Sequence, residues 1–452
     1  MDLLDEIRAQ VMELRPLRIS GRIARIDGQM LAVEGLTDTA RIGDWLDICT
    51  RDHARIGAEI LRLTPQEALA LPDGPREGLA IGDRAELRPA RGIAPDDSWI
   101  GRVIDPYGQP LDNRPLLKGA QERRLDTPPP EPARRGRLGA RLETGMAVFN
   151  TLLPLVEGQR IGLFAGSGVG KTMLLGQFAR HMQADVVVIA LVGERGRELR
   201  EFIEDVLGAE GLARAVVVTA TSDQPPLTRR RCAQAAICVA EHFRDQGKHV
   251  LLLTDSITRL AEAHREVALA AGEDASLRGF PPSTAQRIMA LAERAGPGRD
   301  GVGAITAVFT VLVAGSDMEE PVADILRGVL DGHVVMDRTI AERGRFPAID
   351  VLRSVSRSLP DCARADENAR ISEARRLLGA YDRAEMMVQA GLYEKGSDPL
   401  VDRAIATWPA LDAFVGEAAP KGIKAAFARL AQCLEPPPAQ QAAPKQARAP
   451  GR

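Results

Sequence analysis

One octapeptide restricts the fold more than any other part of the chain: Ala165-Gly166-Ser167-Gly168-Val169-Gly170-Lys171-Thr172. Ahead of it, Arg160-Ile161-Gly162-Leu163-Phe164 is apolar enough for a buried strand, and residues 173–180 behind it have the spacing of an amphipathic helix. Strand, glycine-rich turn, Gly-Lys-Thr and helix in that order make a phosphate-binding P-loop. The glycines let backbone N–H groups approach a phosphate because no Cβ blocks the way. The helix start adds free N–H groups and a partial positive charge. Residues Gly166, Ser167, Gly168, Val169, Gly170, Lys171, Thr172 and Met173 are therefore the expected cradle. Lys171 reaches the β- and γ-phosphates, and the Thr172 hydroxyl is placed to ligate Mg²⁺. Ala165 holds the position of the pattern's first glycine, where only a small residue fits.

The rest of the composition narrows the function classes. With 452 residues the chain has room for two or three domains. Its net charge of −3 leaves no basic footprint for nucleic acid. Three Trp, three Tyr and ten Phe are too few for a base-stacking platform. Cys49, Cys232, Cys238, Cys362 and Cys433 are scattered without CxxC spacing, which argues against a disulfide framework or zinc site and suits a reducing cytoplasm. No stretch approaches the roughly 18 apolar residues of a membrane helix, and the acidic start is unlike a signal peptide. A soluble, cytoplasmic protein is expected.

Along the chain, Leu3, Leu4, Ile7, Val11 and Leu14 recur at helical spacing among charged residues. Residues 1–15 thus read as a short amphipathic helix, either packed on its own domain or docking a partner. From Leu17 the period changes to two, with turn signals such as Asp27-Gly28, so residues 16–90 are expected to form a small β-barrel. A Pro/Gly/Arg-rich connection follows over 91–135. After residue 158, apolar runs at 186–191, 215–219, 250–254 and 304–313 alternate with helical stretches near 196–208, 226–246 and 257–271. That order fits buried parallel strands joined by helices. Helices dominate after 360, notably over 367–381 and 383–391. Residues 435–452 are Pro, Ala, Gln, Lys and Arg with little to bury, the composition of a disordered tail.

Two acids stand out near the P-loop in this order. Val250-Leu251-Leu252-Leu253-Thr254-Asp255 is an apolar strand ending in a carboxylate, which can hold Mg²⁺ with Thr172 or cap the next helix. Glu194 follows the 186–191 run, read as the strand beside the P-loop strand; there it can deprotonate a water or be an ordinary surface acid.

Family resemblance bears on that choice. Gly193-Glu194-Arg195-Gly196-Arg197-Glu198 resembles the Gly-Glu-Arg-x-Arg-Glu segment of rotary ATP synthase catalytic subunits, and Pro347-Ala348-Ile349-Asp350-Val351-Leu352-Arg353-Ser354-Val355-Ser356-Arg357 resembles a signature of their α and β subunits. Phe149-Asn150-Thr151-Leu152-Leu153-Pro154, the stretch 158–171 and Arg278-Gly279-Phe280-Pro281-Pro282-Ser283 are most similar to the type III export ATPases of that superfamily, above all the flagellum-specific group. The likeness spans most of residues 15–410.

It implies an α/β architecture: a six-stranded N-terminal β-barrel, a RecA-like P-loop ATPase domain over 91–358 and a helical C-terminal domain over 359–434. It implies Mg²⁺-dependent ATP hydrolysis, with Glu194 as catalytic carboxylate and Arg195 beside it. Lys171, Thr172 and Asp255 match the phosphate and magnesium residues, Phe346 the aromatic residue packing on adenine, and Arg357 the arginine finger lent by a neighbouring subunit. The implied partners are five further copies in a homohexamer, a stator/regulator protein, a stalk protein, the membrane proteins of the export gate, and export chaperones and cargo. The implied place is the cytoplasmic side of the inner-membrane export apparatus.

Two departures are visible. Residues 389–397 lack the acidic lever of the synthase β subunit, as an export ATPase would, and Pro282-Ser283-Thr284-Ala285-Gln286-Arg287 replaces an expected Pro-Ser-Val-Phe. The competing readings are a virulence-type secretion ATPase, a non-catalytic rotary subunit, which Glu194 disfavours, and a Rho-like RNA motor, disfavoured by Trp45 being the sole aromatic residue of 16–90.

Overall fold

The computed structural model describes residues 18–313 and 318–435. The amphipathic segment 1–15 lies outside the described residues, as do the last 17 residues of the expected tail, 436–452.

Period-two patterning closes into a barrel. Strands β1 (Ser20–Asp27), β2 (Met30–Glu34), β3 (Trp45–Cys49), β4 (Arg55–Leu63), β5 (Glu67–Pro72) and β6 (Arg84–Arg88) join antiparallel in the order β1-β2-β5-β4-β3-β6. Closure removes exposed sheet edges. Ile23, Leu31, Val33, Leu46, Ile48 and Ile60 fill the interior. The barrel sits on the next layer through polar groups. Thr228 donates to both carboxylate oxygens of Asp73 (2.7 and 2.9 Å), and Arg230 reaches both oxygens of Glu59 (2.6 Å each).

The central layer is a nine-stranded sheet of β7 (Arg102–Ile104), β8 (Arg160–Ala165), β9 (Val186–Glu194), β10 (Ala215–Thr221), β11 (His249–Asp255), β12 (Gly296–Pro297), β13 (Ala304–Leu312), β14 (Gly332–Met336) and β15 (Ile349–Ser356). Its order is β15-β14-β8-β13-β11-β9-β10-β7, parallel except for β15, with β12 paired antiparallel to β13. Both faces are covered, which explains the unbroken apolar runs. Along β9, Val187, Ile189 and Leu191 join one core cluster, and Val186, Val188, Ala190 and Val192 join the other.

The helix Lys171–His181 packs on the first face, and Pro226–Asp245, Ile257–Ala270 and Pro282–Arg294 pack on the second. Helices Ala365–Gln389, Pro399–Gly416 and Gly422–Leu434 complete the first face, burying Leu377, Phe414, Phe427 and Leu430.

One local expectation is corrected. The break expected near residue 382 is absent, because Asp382 is exposed and neither removes an N–H nor adds backbone freedom; one helix runs through it. The helical stretch expected near 196–208 is present and runs on to Leu212, as Gly196–Glu201, a π-helical segment Phe202–Leu207 and Gly208–Leu212.

Candidate functional site

The P-loop leaves the C-terminal end of β8, the edge at which open α/β sheets bind ligands. Gly168 and Gly170 have φ of 78° and 88°, left-handed conformations that few side chains tolerate. They curl the loop around an open centre while Val169, 1% exposed, anchors it to the core. The first intrahelical bond runs from the Leu174 N–H to the Gly170 carbonyl (3.1 Å). The N–H groups of Lys171, Thr172 and Met173 therefore have no intrahelical acceptor. The Thr172 and Met173 side chains are exposed at this helix start.

Asp255 ends β11 and is 4% exposed. The helix that follows is capped by Ser256, whose hydroxyl accepts from the Arg259 N–H (3.3 Å), so capping is not the carboxylate's work. Asp255 Oδ1 is paired with the Lys171 ammonium and also accepts from Thr310 Oγ1 at 2.7 Å. Thr310 comes from β13, between the P-loop strand and β11. Sequence reading missed it; the available signal was a hydroxyl residue inside an otherwise apolar strand.

Glu194 is the last residue of β9. The expectation that its strand adjoins the P-loop strand is wrong. In the sheet, β13 and β11 lie between them, inserted by the later crossovers. Glu194 nonetheless shares a cavity of about 240 Å³ with Thr172, Asp255, Glu198 and Phe202. Burial and then the negative charge of Asp255 push its carboxyl up to about 7, against the pull of Lys171. A carboxyl poised there can hold or release a proton near neutrality. Arg195 beside it is 81% exposed by side chain and 3.5 Å from Glu198.

Phe346 comes just before β15, on the P-loop side. It is 52% exposed, so it is no core residue. A Cβ added to Gly170 would lie 3.2 Å from its ring, which places the ring against the P-loop. Arg345 braces this turn, donating to the carbonyls of Pro347 (3.0 Å) and Ile349 (2.8 Å) and pairing with Asp412 (2.9 Å).

Arg357 is not brought to this cluster. Ile349, opening β15, pairs with Met336, which pairs with Ala165 at the P-loop end of β8; Ser356 pairs with Gly332. The four steps of β14 from Met336 to Gly332 cover about 13 Å, so β15 finishes near the opposite sheet edge. There the Arg357 N–H bonds the Asp331 carbonyl (3.0 Å), and the Asp331 carboxylate binds Arg160 at the start of β8 (3.2 Å). The Arg357 side chain is exposed there, at the sheet edge opposite its own chain's active cluster.

An Mg²⁺ ion suits the donors present. Thr172 and Asp255 offer hard oxygens, and magnesium at phosphate sites usually takes one or two carboxylates with water and phosphate oxygens. Among the described residues, no cluster of three or more His, Cys, Asp or Glu forms a self-sufficient metal cage. No described helix is long and apolar enough to cross a membrane.

Residues 145–356 match the ATP synthase alpha/beta family, nucleotide-binding domain, and residues 363–421 match the T3SS EscN ATPase C-terminal domain. The chain is 45% identical over 416 residues to the flagellum-specific ATP synthase of Caulobacter vibrioides, covering 90% of this chain and 94% of that protein. Against the Salmonella typhimurium protein of the same description, identity is 42% over 423 residues, covering 91% and 92%. Among solved structures, the assembled ATPase EscN of the enteropathogenic E. coli type III secretion system superposes with a TM-score of 0.85 at 36% identity, covering 92% of this chain and 100% of that one. EscN in complex with its central stalk EscO superposes at 0.83, with the same identity and coverage.

Proposed function

Because the chain belongs to the ATP synthase alpha/beta family, as one of its flagellum-specific members, we propose that it hydrolyses ATP to ADP and phosphate to serve type III export of flagellar proteins. The observation that carries this reading is the meeting of Lys171, Asp255 and Glu194 at the P-loop edge of the sheet.

Each group has a distinct task. Lys171 exchanges its pairing with Asp255 for the β- and γ-phosphates, which the N–H groups of 166–173 also cradle. Glu194 takes the proton of the attacking water, whose oxygen bonds phosphorus as the bond to the ADP oxygen breaks. Arg195 flanks that acid. Phe346 offers a hydrophobic face to adenine but no hydrogen-bonding group to read it. Thr172 and Asp255 would hold Mg²⁺, which when bound neutralises charge on the β- and γ-phosphates. Arg357 completes the site of the next subunit, stabilising charge on the γ-phosphate with a planar, permanently charged fork.

That last role needs a ring, so the working form is a homohexamer, as the likeness to an assembled ATPase supports. A stalk protein fits the same argument, since the similar EscN carries EscO. A stator/regulator protein, the export-gate membrane proteins, chaperones and cargo complete the proposed partners, at the cytoplasmic face of the inner membrane. Nucleic acid is not among them. Domain limits of 16–90, 91–358 and 359–434 go with this assignment.

The test separates binding from turnover. Glu194→Gln keeps the size and hydrogen bonding of the side chain but removes the base, so ATP still binds while phosphate release falls at least ~10²-fold. Lys171→Ala weakens both. Turnover near wild type in Glu194→Gln would refute the assignment.

A further inference from the structure

We infer that Thr310 is a positioning residue for the metal-binding carboxylate: its hydroxyl fixes Asp255 in one orientation while Lys171 moves from that carboxylate to the nucleotide. The inference rests on the proposed roles of Lys171 and Asp255 and adds a third element from a different strand.

The sequence around Thr310 makes its hydroxyl conspicuous. Strand β13 reads Ala-Ile-Thr-Ala-Val-Phe-Thr-Val-Leu, and Ile305, Ala307, Val308, Phe309 and Val311 are all fully buried. Thr310 itself is 0% exposed. Valine has nearly the same shape and would suit such a strand, whereas a buried hydroxyl is costly unless it finds a partner. Thr310 finds Asp255 Oδ1, at 2.7 Å. The other hydroxyl residue of this strand, Thr306, serves a different place. It accepts from the Gly158 N–H (2.9 Å) and lies 2.7 Å from His249, near the opposite edge.

The register explains how the hydroxyl reaches its target. Phe309 pairs with Thr254 on one side, and Thr310 pairs with Leu163 of the P-loop strand on the other. Thr310 is thus level with the residue after Thr254, which is Asp255. Its hydroxyl crosses between adjacent strands and needs no loop to position it. Both partners are held by sheet hydrogen bonds, so this contact does not depend on the conformation of the P-loop.

The Lys171 contact differs in that respect. Lys171 belongs to the first turn after the glycine-rich loop, and its ammonium shares the same oxygen, Asp255 Oδ1. When phosphates draw the ammonium away, Asp255 loses one of the two partners shown for that oxygen. Thr310 remains. With Oδ1 retained by the hydroxyl, rotation of the carboxylate is restricted in the cavity that Asp255 shares with Thr172. Without the hydroxyl, the carboxylate would have to be reoriented each time a metal–nucleotide complex bound.

The experiment compares Thr310→Val, which removes only the hydroxyl, with Thr310→Ser, which keeps it. Binding of a fluorescent ADP analogue is titrated with Mg²⁺ and separately in excess EDTA, and Mn²⁺ binding in the presence of ADP is followed by electron paramagnetic resonance. A hydrogen bond to a charged group predicts roughly a tenfold or greater loss of metal affinity in Thr310→Val, with metal-free nucleotide binding within about twofold of wild type. Thr310→Ser should restore metal affinity to within about threefold. Unchanged metal affinity in Thr310→Val would overturn the inference. So would equal losses in the two variants, which would make the effect one of packing. If Thr310→Val fails to fold, Thr310→Ala against Thr310→Ser decides the question by the same titrations. A wild-type protein whose nucleotide binding ignores Mg²⁺ would instead refute the metal assignment of Thr172 and Asp255, a result separate from any comparison of variants.

Discussion

Adding one methyl group at Gly170 tests whether the P-loop's backbone shape, rather than its side chains, sets nucleotide affinity. Gly170 has φ of 88° at the start of the P-loop helix. An alanine held in left-handed geometry costs about 1–2 kcal/mol. If that strain is relieved by turning the Lys171 N–H away from the phosphates, affinity falls roughly five- to thirtyfold. Crowding adds a second effect, since the new Cβ would lie 3.2 and 3.6 Å from two ring atoms of Phe346. That ring is half exposed and can move by a few tenths of an ångström, so strain should dominate.

Gly168→Ala separates the two effects. Gly168 has φ of 78°, but its added Cβ would meet nothing within 4 Å. Both alanine variants should therefore weaken ATP binding by similar factors in a direct titration with a fluorescent analogue. Restoring space in Gly170→Ala/Phe346→Ala should not recover affinity. If Gly168→Ala binds as wild type while Gly170→Ala does not, crowding is the cause and the strain argument fails.

Other perturbations test the frame around the site. His264 is 5% exposed, has its Nε2 2.8 Å from Ser283 Oγ, and has its pKa pushed down to about 4 by burial, with Arg287 and Arg230 adding to the effect. Below its ordinary value of 6.5 the unfolded chain gains a proton that the folded chain refuses, so stability falls by about 1.6 kcal/mol as the pH drops from 6.5 to 5. His264→Asn should flatten that part of the stability profile, and parallel profiles would refute the claim. The buried pair Arg294–Glu241, bonded at 2.9 and 2.7 Å, ties the Pro282–Arg294 and Pro226–Asp245 helices together. Glu241→Gln should cost about 3–5 kcal/mol by leaving a buried charge unpaired, while Glu241→Leu/Arg294→Met should recover most of it in denaturant unfolding.

What the sequence disclosed follows the range of the interactions involved. The P-loop was legible because strand, turn and helix are contiguous, and Asp255 because an apolar run ends on it. The barrel was legible from alternation, and the α/β order from apolar runs too continuous for a half-exposed sheet. Sheet order was not legible: nothing local says that β13 and β11 insert between β8 and β9, so the sequence sets Glu194 two strands too near. Thr310 went unnoticed because its meaning lies across a strand pair. Phe346 and Gly170 are far apart in sequence and meet only through β15 pairing with β14.

The central claim is that the active site is shared between subunits, because β15 carries Arg357 to the sheet edge opposite its own P-loop. The direct measurement mixes two inactive proteins, Arg357→Ala and Glu194→Gln, under conditions where subunit exchange is demonstrated by labelled copies. In a cyclic head-to-tail ring formed from equal amounts, roughly one interface in four joins an intact Glu194 to an intact neighbouring Arg357. ATP hydrolysis should return, up to about a quarter of the wild-type rate if interfaces act independently. Persistent inactivity despite demonstrated exchange would contradict the shared site.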